Sequence, residues 1–146
     1  MLLFWRHFGC GCGRDRAGRL AEEYGTFIDA GATVALIGQG DPERALVYAE
    51  ANGLPADMPL FVEPDLSTYR AYGLLDADPQ GLLFDAPDEQ GMPLVDNPRV
   101  LPGEFVVDRA GRIRNAHRFS YCEDWLDARV NVAAIRFATG ELKPSY

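Results

Sequence analysis

The sequence of 146 residues has few basic residues, few cysteines and no long apolar run. Fourteen Lys and Arg stand against 22 Asp and Glu, a net charge of −8, which argues against a general role on nucleic acid because nucleic-acid binders are normally basic. No apolar run is as long as a membrane span, which needs about 18 residues, so we expect no membrane association. The apolar start Met1–Arg6 is too short for a secretion signal and has no basic residue before it, so we expect a cytoplasmic protein. Three cysteines, an odd number, do not form the disulfide framework of a small secreted protein.

The length and the local patterns predict a single α/β domain, since a domain typically has about 150 residues. Apolar strand patterns alternate with amphipathic helical patterns, which is typical of parallel strands joined by right-handed crossovers. A closing strand pair, with a tight turn at Asp108–Gly111, adds an antiparallel edge. We therefore predict one mixed sheet in the spatial order third, second, first, fourth, fifth strand, with helices on both faces. The strands are expected at 2–6, 33–37, 59–63, 104–107 and 112–116, and the helices begin at 14, 41, 65 and 125 with stop signals at 31, 52–53, 73 and 140.

The negative charge is concentrated in one stretch of the chain. Residues 73–98 hold six acidic residues and no Lys or Arg. The stretch from 74 to 101 is also rich in proline and only weakly periodic, and a loop of this length is uncommon inside a compact domain. We predict an acidic loop inserted at about 74–101 in a domain that spans 1–146. Such a loop is either a solvated surface segment or one that selects partners by charge.

Cys10 and Cys12 lie in a glycine-rich turn between the first strand and the first helix. In open α/β sheets, ligands and reactions collect at the carboxyl ends of the strands. A helix N-terminus adds unpaired N–H groups and the positive end of the helix dipole, and Arg6, Arg14 and Arg16 add positive charge nearby. Because all of these favour a thiolate, they predict a lowered pKa for the Cys10 thiol and a nucleophilic cysteine.

The residues leave three uses of the cysteine pair open. A disulfide between Cys10 and Cys12 would be tight, because one residue separates them, and a strained disulfide is easily reduced and hence catalytic or regulatory. A metal site would draw on His7, His117 and Cys122, but the spacing does not match the usual zinc pattern, so we predict no metal. A buried structural role is disfavoured because the flanking glycines offer nothing to pack against.

Three further residues have weaker indications. His7 would either tune the thiolate or be a hydrogen-bonded loop residue. His117, at the end of a strand, is expected to be structural. Cys122 precedes Glu123 and Asp124, whose charges disfavour a thiolate, so we expect a semi-exposed cysteine without a role in the chemistry.

Four segments, in order along the chain, carry a resemblance to a known family. They are similar to the peroxiredoxin-like branch of the AhpC/TSA (redoxin) family, in the thioredoxin-fold superfamily. The resemblance implies a thioredoxin-like fold, thiol-dependent reduction of peroxides or disulfides, an antioxidant role and no bound cofactor. The segments are Phe4–Cys10, Ile37–Glu43, Asp65–Leu74 and Leu101–Ile113.

The resemblance also implies roles for individual residues. Cys10 falls where the family places its peroxide-attacking cysteine, and Pro102 falls where thioredoxin-fold proteins carry a cis-proline that faces this cysteine. Arg118 lies in a region where the family often has a basic residue. The sulfenic acid or mixed disulfide at Cys10 would be resolved by Cys12 or by an external thiol of the thioredoxin or glutathione type.

The sequence departs from the family pattern in three ways. The position three residues after Cys10, often a second cysteine, is Gly13. The position three residues before it, usually Thr or Ser, is His7, so thiol–disulfide exchange without peroxidase activity is an alternative. The strand and helix that usually precede the first strand are absent from the sequence, which predicts a domain shortened at the N-terminus. A homodimer could cover the edge that this leaves, and a non-catalytic binding module is a third hypothesis.

Overall fold

The computed structural model describes residues 1–74, 76 and 99–143. The predicted acidic loop at about 74–101 lies, apart from residues 74, 76 and 99–101, outside the described residues. The elements follow the predicted β-α-β-α-β-α-β-β-α order. They are β1 (Leu2–Phe4), α1 (Gly11–Asp29), β2 (Ala35–Gly38), α2 (Pro42–Ala51), β3 (Leu60–Val62), α3 (Ser67–Ala71), β4 (Gly103–Val107), β5 (Ile113–Arg118) and α4 (Ala128–Ala138).

The five strands form one mixed sheet in the order β3-β2-β1-β4-β5, as predicted. β1 pairs in parallel with β2, and β2 with β3, whereas β4 runs antiparallel to both β1 and β5. The turn between β4 and β5 contains Gly111 at φ 77°, a left-handed conformation that glycine adopts at no steric cost. β1 is therefore central, and its carboxyl end lies in the middle of the sheet edge.

Alternate residues of β1 face two separate cores. Leu3 packs into a large cluster with side chains of α1, α2 and α4. Phe4 faces the opposite side, where it contacts Tyr69 of α3 and Phe105 of β4. Both side chains are fully buried, and two such side chains contribute roughly 1.5–3 kcal/mol each to folding. The sheet thus has helices on both faces, as predicted.

Helix α1 begins at Gly11 with Cys10 as its N-cap, three residues earlier than predicted. The pattern misplaces this start because Gly11 and Gly13 have low helix propensity and add no apolar periodicity. Packing of the following turns against the sheet overrides that local preference. No helix among residues 1–74 and 99–143 is long and apolar enough to cross a membrane.

The segment between β5 and α4 differs from the prediction. The last helix begins at Ala128, with Asp127 as an N-cap that accepts a hydrogen bond from the Arg129 N–H. Trp125, predicted to lie on the helix, instead packs before it in a small cluster that includes Cys122. This cluster lies beside Leu101 and Phe119, so the chain after β5 returns towards the carboxyl end of β1.

Candidate redox site

The turn after β1 is held by main-chain hydrogen bonds. The N–H of Cys10 donates to the His7 carbonyl (3.3 Å), and the Gly13 N–H donates to the Cys10 carbonyl (3.0 Å). The N–H of Phe8 donates to the carbonyl of Gln39 in the turn after β2 (3.1 Å). Cys10 is consequently fixed at the first turn of α1 and is only 2% exposed.

Three thiols meet at this point: the sulfurs of Cys10, Cys12 and Cys122 all lie within 4.8 Å of one another. Cys122 is semi-exposed, as predicted, but it lies beside the two other thiols and not apart from them. The carboxylate of the nearby Asp124 accepts a hydrogen bond from the Ser120 N–H and lies 3.5 Å from the His117 ring. Local sequence gave no sign of this placement, since it depends on the return of the chain after β5.

Arg6 is the cation of the site. One of its terminal nitrogens donates to the sulfur of Cys122 at 3.2 Å and to that of Cys10 at 3.5 Å. The Arg6 side chain is buried, and its main-chain carbonyl accepts from the Gln39 side-chain amide (2.7 Å). The sequence placed Arg6 among several nearby positive charges but did not single it out, because proximity in sequence does not show which side chain turns inwards.

The pKa of the Cys10 thiol shifts in the opposite direction to those of the Cys12 and Cys122 thiols. The pKa of Cys10 is lowered, because its sulfur accepts hydrogen bonds from the Cys12 and Cys122 thiols and lies beside the Arg6 guanidinium and the Gly13 N–H; burial opposes this. The pKa values of Cys12 and Cys122 are raised, first because each donates to Cys10. The favoured state is one thiolate, at Cys10, with two protonated neighbours, and the thiolate is the nucleophilic form.

The other predicted cations are placed differently. Arg16 lines the same cleft, but its hydrogen bonds go to the carboxylates of Glu104 (3.1 Å) and Glu23 (2.9 Å). Arg14 is exposed on α1. Arg118 donates to the Tyr72 carbonyl (2.7 Å), so it ties the end of β5 to the residue after α3. Arg16 thus pairs with carboxylates, Arg14 faces the solvent and Arg118 bonds to the main chain, whereas Arg6 reaches the sulfurs.

Pro102 lines the same cleft as Cys10. The expected cis bond is wrong, because no peptide bond among the described residues is cis. The Pro102 carbonyl accepts from the Phe119 N–H (3.1 Å). This hydrogen bond lies next to the Gly103–Arg118 pair of the β4–β5 ladder. The trans peptide bond before Pro102 therefore lets the chain run extended into β4.

The predicted histidines contribute through different groups. The His7 carbonyl accepts from the N–H groups of Gly9 and Cys10, so the residue shapes the turn through its backbone. The His117 ring bonds to the Asp124 carbonyl, which agrees with the structural role expected for it. That bond holds the segment that carries Cys122.

The absence of a second cysteine at the usual position has a steric cause. The indole N–H of Trp5 donates to the Tyr48 hydroxyl at 2.8 Å. A Cβ atom at Gly13 would lie 2.9 Å from each of these two polar atoms, a separation that side chains do not tolerate. Any residue larger than glycine would have to displace this hydrogen-bonded pair, so a cysteine at this position would strain the packing.

The sulfurs line a small cleft, about 20 Å³ in volume. Arg6, Pro102 and Phe119 complete much of its wall. A volume of roughly 10–15 Å³ by this measure holds one water molecule. The cleft therefore suits a molecule of the size of one or two waters. Cys12 and Cys122 are only half-buried, so they connect the buried Cys10 to the solvent.

Among the described residues, the three sulfurs are also the one group with the donor set for a metal ion. Tetrahedral zinc with bonds of about 2.3 Å separates its sulfur ligands by about 3.8 Å, which lies within the observed limit of 4.8 Å. The set fits a thiophilic cation that takes three thiolates. That this protein works without a metal stays a prediction.

The comparisons with known proteins agree with this architecture. The sequence model of the AhpC/TSA family matches residues 1–116. The chain belongs to the AhpC/TSA family. Cys10, Cys12 and Arg6 lie inside the matched region of this AhpC/TSA protein, whereas Cys122 lies beyond it. No curated protein matches the sequence.

A solved peroxiredoxin shares the fold. The crystal structure of a cysteine-to-serine mutant of the peroxiredoxin 6 of Arenicola marina matches with a TM-score of 0.58 and 17% sequence identity. The match covers 92% of this chain and 58% of that chain, so the AhpC/TSA protein spans less than two thirds of the length of that peroxiredoxin. At this identity the likeness shows the fold, which is the thioredoxin-like fold of a peroxiredoxin.

Proposed function

We propose that this AhpC/TSA protein is a thiol-dependent peroxidase in which Cys10 reduces a small peroxide. The Cys10 thiolate attacks one peroxide oxygen, the O–O bond breaks, and the remaining oxygen takes a proton and leaves as an alcohol or as water. Cys10 is thereby oxidised to a sulfenic acid. Two electrons from an external thiol reductant, of the thioredoxin or glutathione type, return it to the thiol.

One observation carries the proposal: a buried cysteine at a helix N-terminus has two other thiols within 4.8 Å and accepts a hydrogen bond from a buried guanidinium. This arrangement stabilises a thiolate, which is the form that reacts with peroxides. Cys12 or Cys122 can supply the proton that the leaving oxygen needs, because both are protonated donors beside Cys10. Pro102 forms part of the wall of the same cleft.

The dimensions of the site favour a small peroxide over a protein disulfide. Cys10 is 2% exposed, so the sulfur of a folded partner protein does not reach it without a movement of the turn. The cleft of about 20 Å³ admits a molecule about as large as hydrogen peroxide.

Thiol–disulfide exchange without peroxidase activity is the second candidate. It is favoured by His7, which stands where related proteins have a Thr or Ser hydroxyl, and by the half-buried sulfur of Cys12, which a partner can approach. In that case the Cys10 thiolate would attack the disulfide of the partner after a movement of the turn, one partner sulfur would leave as a thiol, and Cys12 or an external thiol would resolve the mixed disulfide.

Peroxide consumption separates these candidates. Hydrogen peroxide loss should be measured with dithiothreitol as reductant for the wild type, Cys10→Ser and Cys12→Ser, with insulin reduction measured in parallel. We expect Cys10→Ser to abolish peroxide loss. Equal rates in the wild type and Cys10→Ser would refute the peroxidase, and insulin reduction without peroxide loss would establish the exchange activity. A Cys10 thiol with an ordinary pKa and neither activity would indicate a binding module.

A homodimer and a cytoplasmic location stay predictions. β3 is an edge strand of the sheet and exposes Phe61, and edge strands are common places for self-association. Light scattering on the purified full chain measures the mass of the particle directly, and fractionation of the source cells tests the location.

A further inference from the structure

Two thiols lie close enough to attack the sulfenic acid that the proposed function forms at Cys10. Cys12 is the partner that the sequence suggests, and Cys122 is the partner that the structure adds. Both sulfurs lie within 4.8 Å of the Cys10 sulfur, so distance alone does not choose between them. Backbone geometry and charge do.

The backbone disfavours Cys12. Cys10 is the N-cap of α1, and Cys12 lies in the first helical turn, with Gly11 between them. A disulfide needs its Cβ atoms roughly 3.5–4.5 Å apart, and with one residue between the two cysteines the ring would be tight, although their sulfurs lie within 4.8 Å of each other. Closing this ring would distort the first turn, which the bond from the Gly13 N–H to the Cys10 carbonyl holds.

Cys122 carries no such restraint. It lies in the segment between β5 and α4, far from Cys10 in sequence and outside regular structure. It is half-buried, and its side chain packs at the border of the small cluster with Trp125. A rotation of this side chain can bring its sulfur to bonding distance while the first turn of α1 keeps its hydrogen bonds.

Charge also favours Cys122 once Cys10 is oxidised. The Arg6 guanidinium lies 3.2 Å from the Cys122 sulfur, closer than the 3.5 Å to that of Cys10. A sulfenic acid carries no negative charge, so oxidation removes the anion that keeps the Cys122 pKa raised. Arg6, which lowers the pKa of Cys122, then stabilises a second thiolate there.

Resting on the proposed function, we infer that Cys122 is the resolving cysteine of this protein. Its thiolate attacks the Cys10 sulfenic sulfur, an S–S bond forms, the S–O bond breaks, and the oxygen takes a proton and leaves as water. The external thiol then attacks the half-buried Cys122 sulfur, releases the Cys10 thiolate and, with a second reducing thiol, restores both cysteines. Cys122 lies beyond the region that matches the family, residues 1–116.

Disulfide mapping tests the inference. The reduced full-length protein is treated with one equivalent of hydrogen peroxide, remaining thiols are alkylated in acid, and the peptides are identified by mass spectrometry. We expect a Cys10–Cys122 link in the wild type and in the matched control Cys12→Ser. We expect Cys122→Ser to accumulate a Cys10 sulfenic acid that dimedone traps.

The outcomes separate the two levels of the argument. A Cys10–Cys12 link that forms equally in the wild type and in Cys122→Ser overturns the inference and leaves the peroxidase standing. A Cys10 that peroxide does not oxidise in any variant overturns both. Circular dichroism and the urea midpoint of each variant show that it is folded before it is compared.

Fluorescence gives a second measurement. The only two tryptophans of the chain adjoin the site: Trp5 lines the cleft, and Trp125 packs against the cluster that includes Cys122. In stopped flow we expect a phase whose rate rises with peroxide concentration, followed by a phase whose rate does not. Loss of the second phase in Cys122→Ser supports resolution by this residue, and its survival there contradicts it.

Discussion

Arg6 should set the reactivity of Cys10, and replacing it by methionine tests this directly. The terminal nitrogen of Arg6 lies 3.5 Å from the Cys10 sulfur in a buried setting. A hydrogen bond to a charged group contributes about 1.5–3 kcal/mol. Since about 1.4 kcal/mol corresponds to one pKa unit, the Cys10 pKa should rise by about 1–2 units in Arg6→Met. Methionine fills a similar space without charge, so the variant tests the charge more than the packing.

The assay is the pH dependence of alkylation of Cys10 by iodoacetamide in a Cys12→Ser, Cys122→Ser background, with and without Arg6→Met. Below its pKa a thiol loses about tenfold in thiolate per pH unit, so the fall in rate should begin at a higher pH in the Arg6 variant. Arg14→Gln, at an exposed position of the same region, should move the curve much less. If Arg6→Met is folded and leaves the midpoint unchanged, or if Arg14→Gln moves it more, the assignment of Arg6 is refuted.

Three further predictions concern packing, the buried ion pair and metal ions. Gly13→Ala should lower the free energy of unfolding, measured in urea, by about 1–3 kcal/mol because it overpacks the site. In the helical control Gly18→Ala the new Cβ would meet nothing within 4 Å, so this change should raise the free energy of unfolding by up to about 1 kcal/mol. A change of the same sign in both variants would contradict the steric argument. Glu104→Gln removes the carboxylate that lies 3.0 Å from Arg16 in the protein interior, and breaking a buried pair costs about 3–5 kcal/mol; an unchanged urea midpoint would show that this pair contributes little. One equivalent of Zn²⁺ should slow the alkylation of Cys10 in the reduced protein, and a chelator should restore the rate. An unchanged rate would show that the three sulfurs do not bind Zn²⁺ together.

The predictable part of the fold is encoded locally. Asp41 followed by Pro42 predicts the start of α2, and the structure shows the Asp41 carboxylate accepting from the Arg44 N–H. Gly111 marks the turn between β4 and β5, and the alternation of strands and helices determines the sheet order. These elements follow from residues that are near each other in sequence.

Only the part of the site that is formed by residues close together in sequence could be predicted. The position of Cys10 follows from a strand, a glycine-rich turn and a helix start that are contiguous. The arrival of Cys122 depends on how the segment after β5 packs around Trp125, and the inward direction of Arg6 brings its guanidinium to the sulfur of Cys122, a residue distant in sequence. Contacts of this kind between distant residues leave no periodic signal in a single sequence.

The size of the cleft determines how such a site would be damaged. Over-oxidation of a sulfenic acid to a sulfinic acid requires a second peroxide at the same sulfur. On the proposed function, the new oxygen on Cys10 would occupy part of the cleft of about 20 Å³ and would hinder the approach of a second peroxide. On the proposed function, a wider pocket around the same three thiols would be more open to this second oxidation.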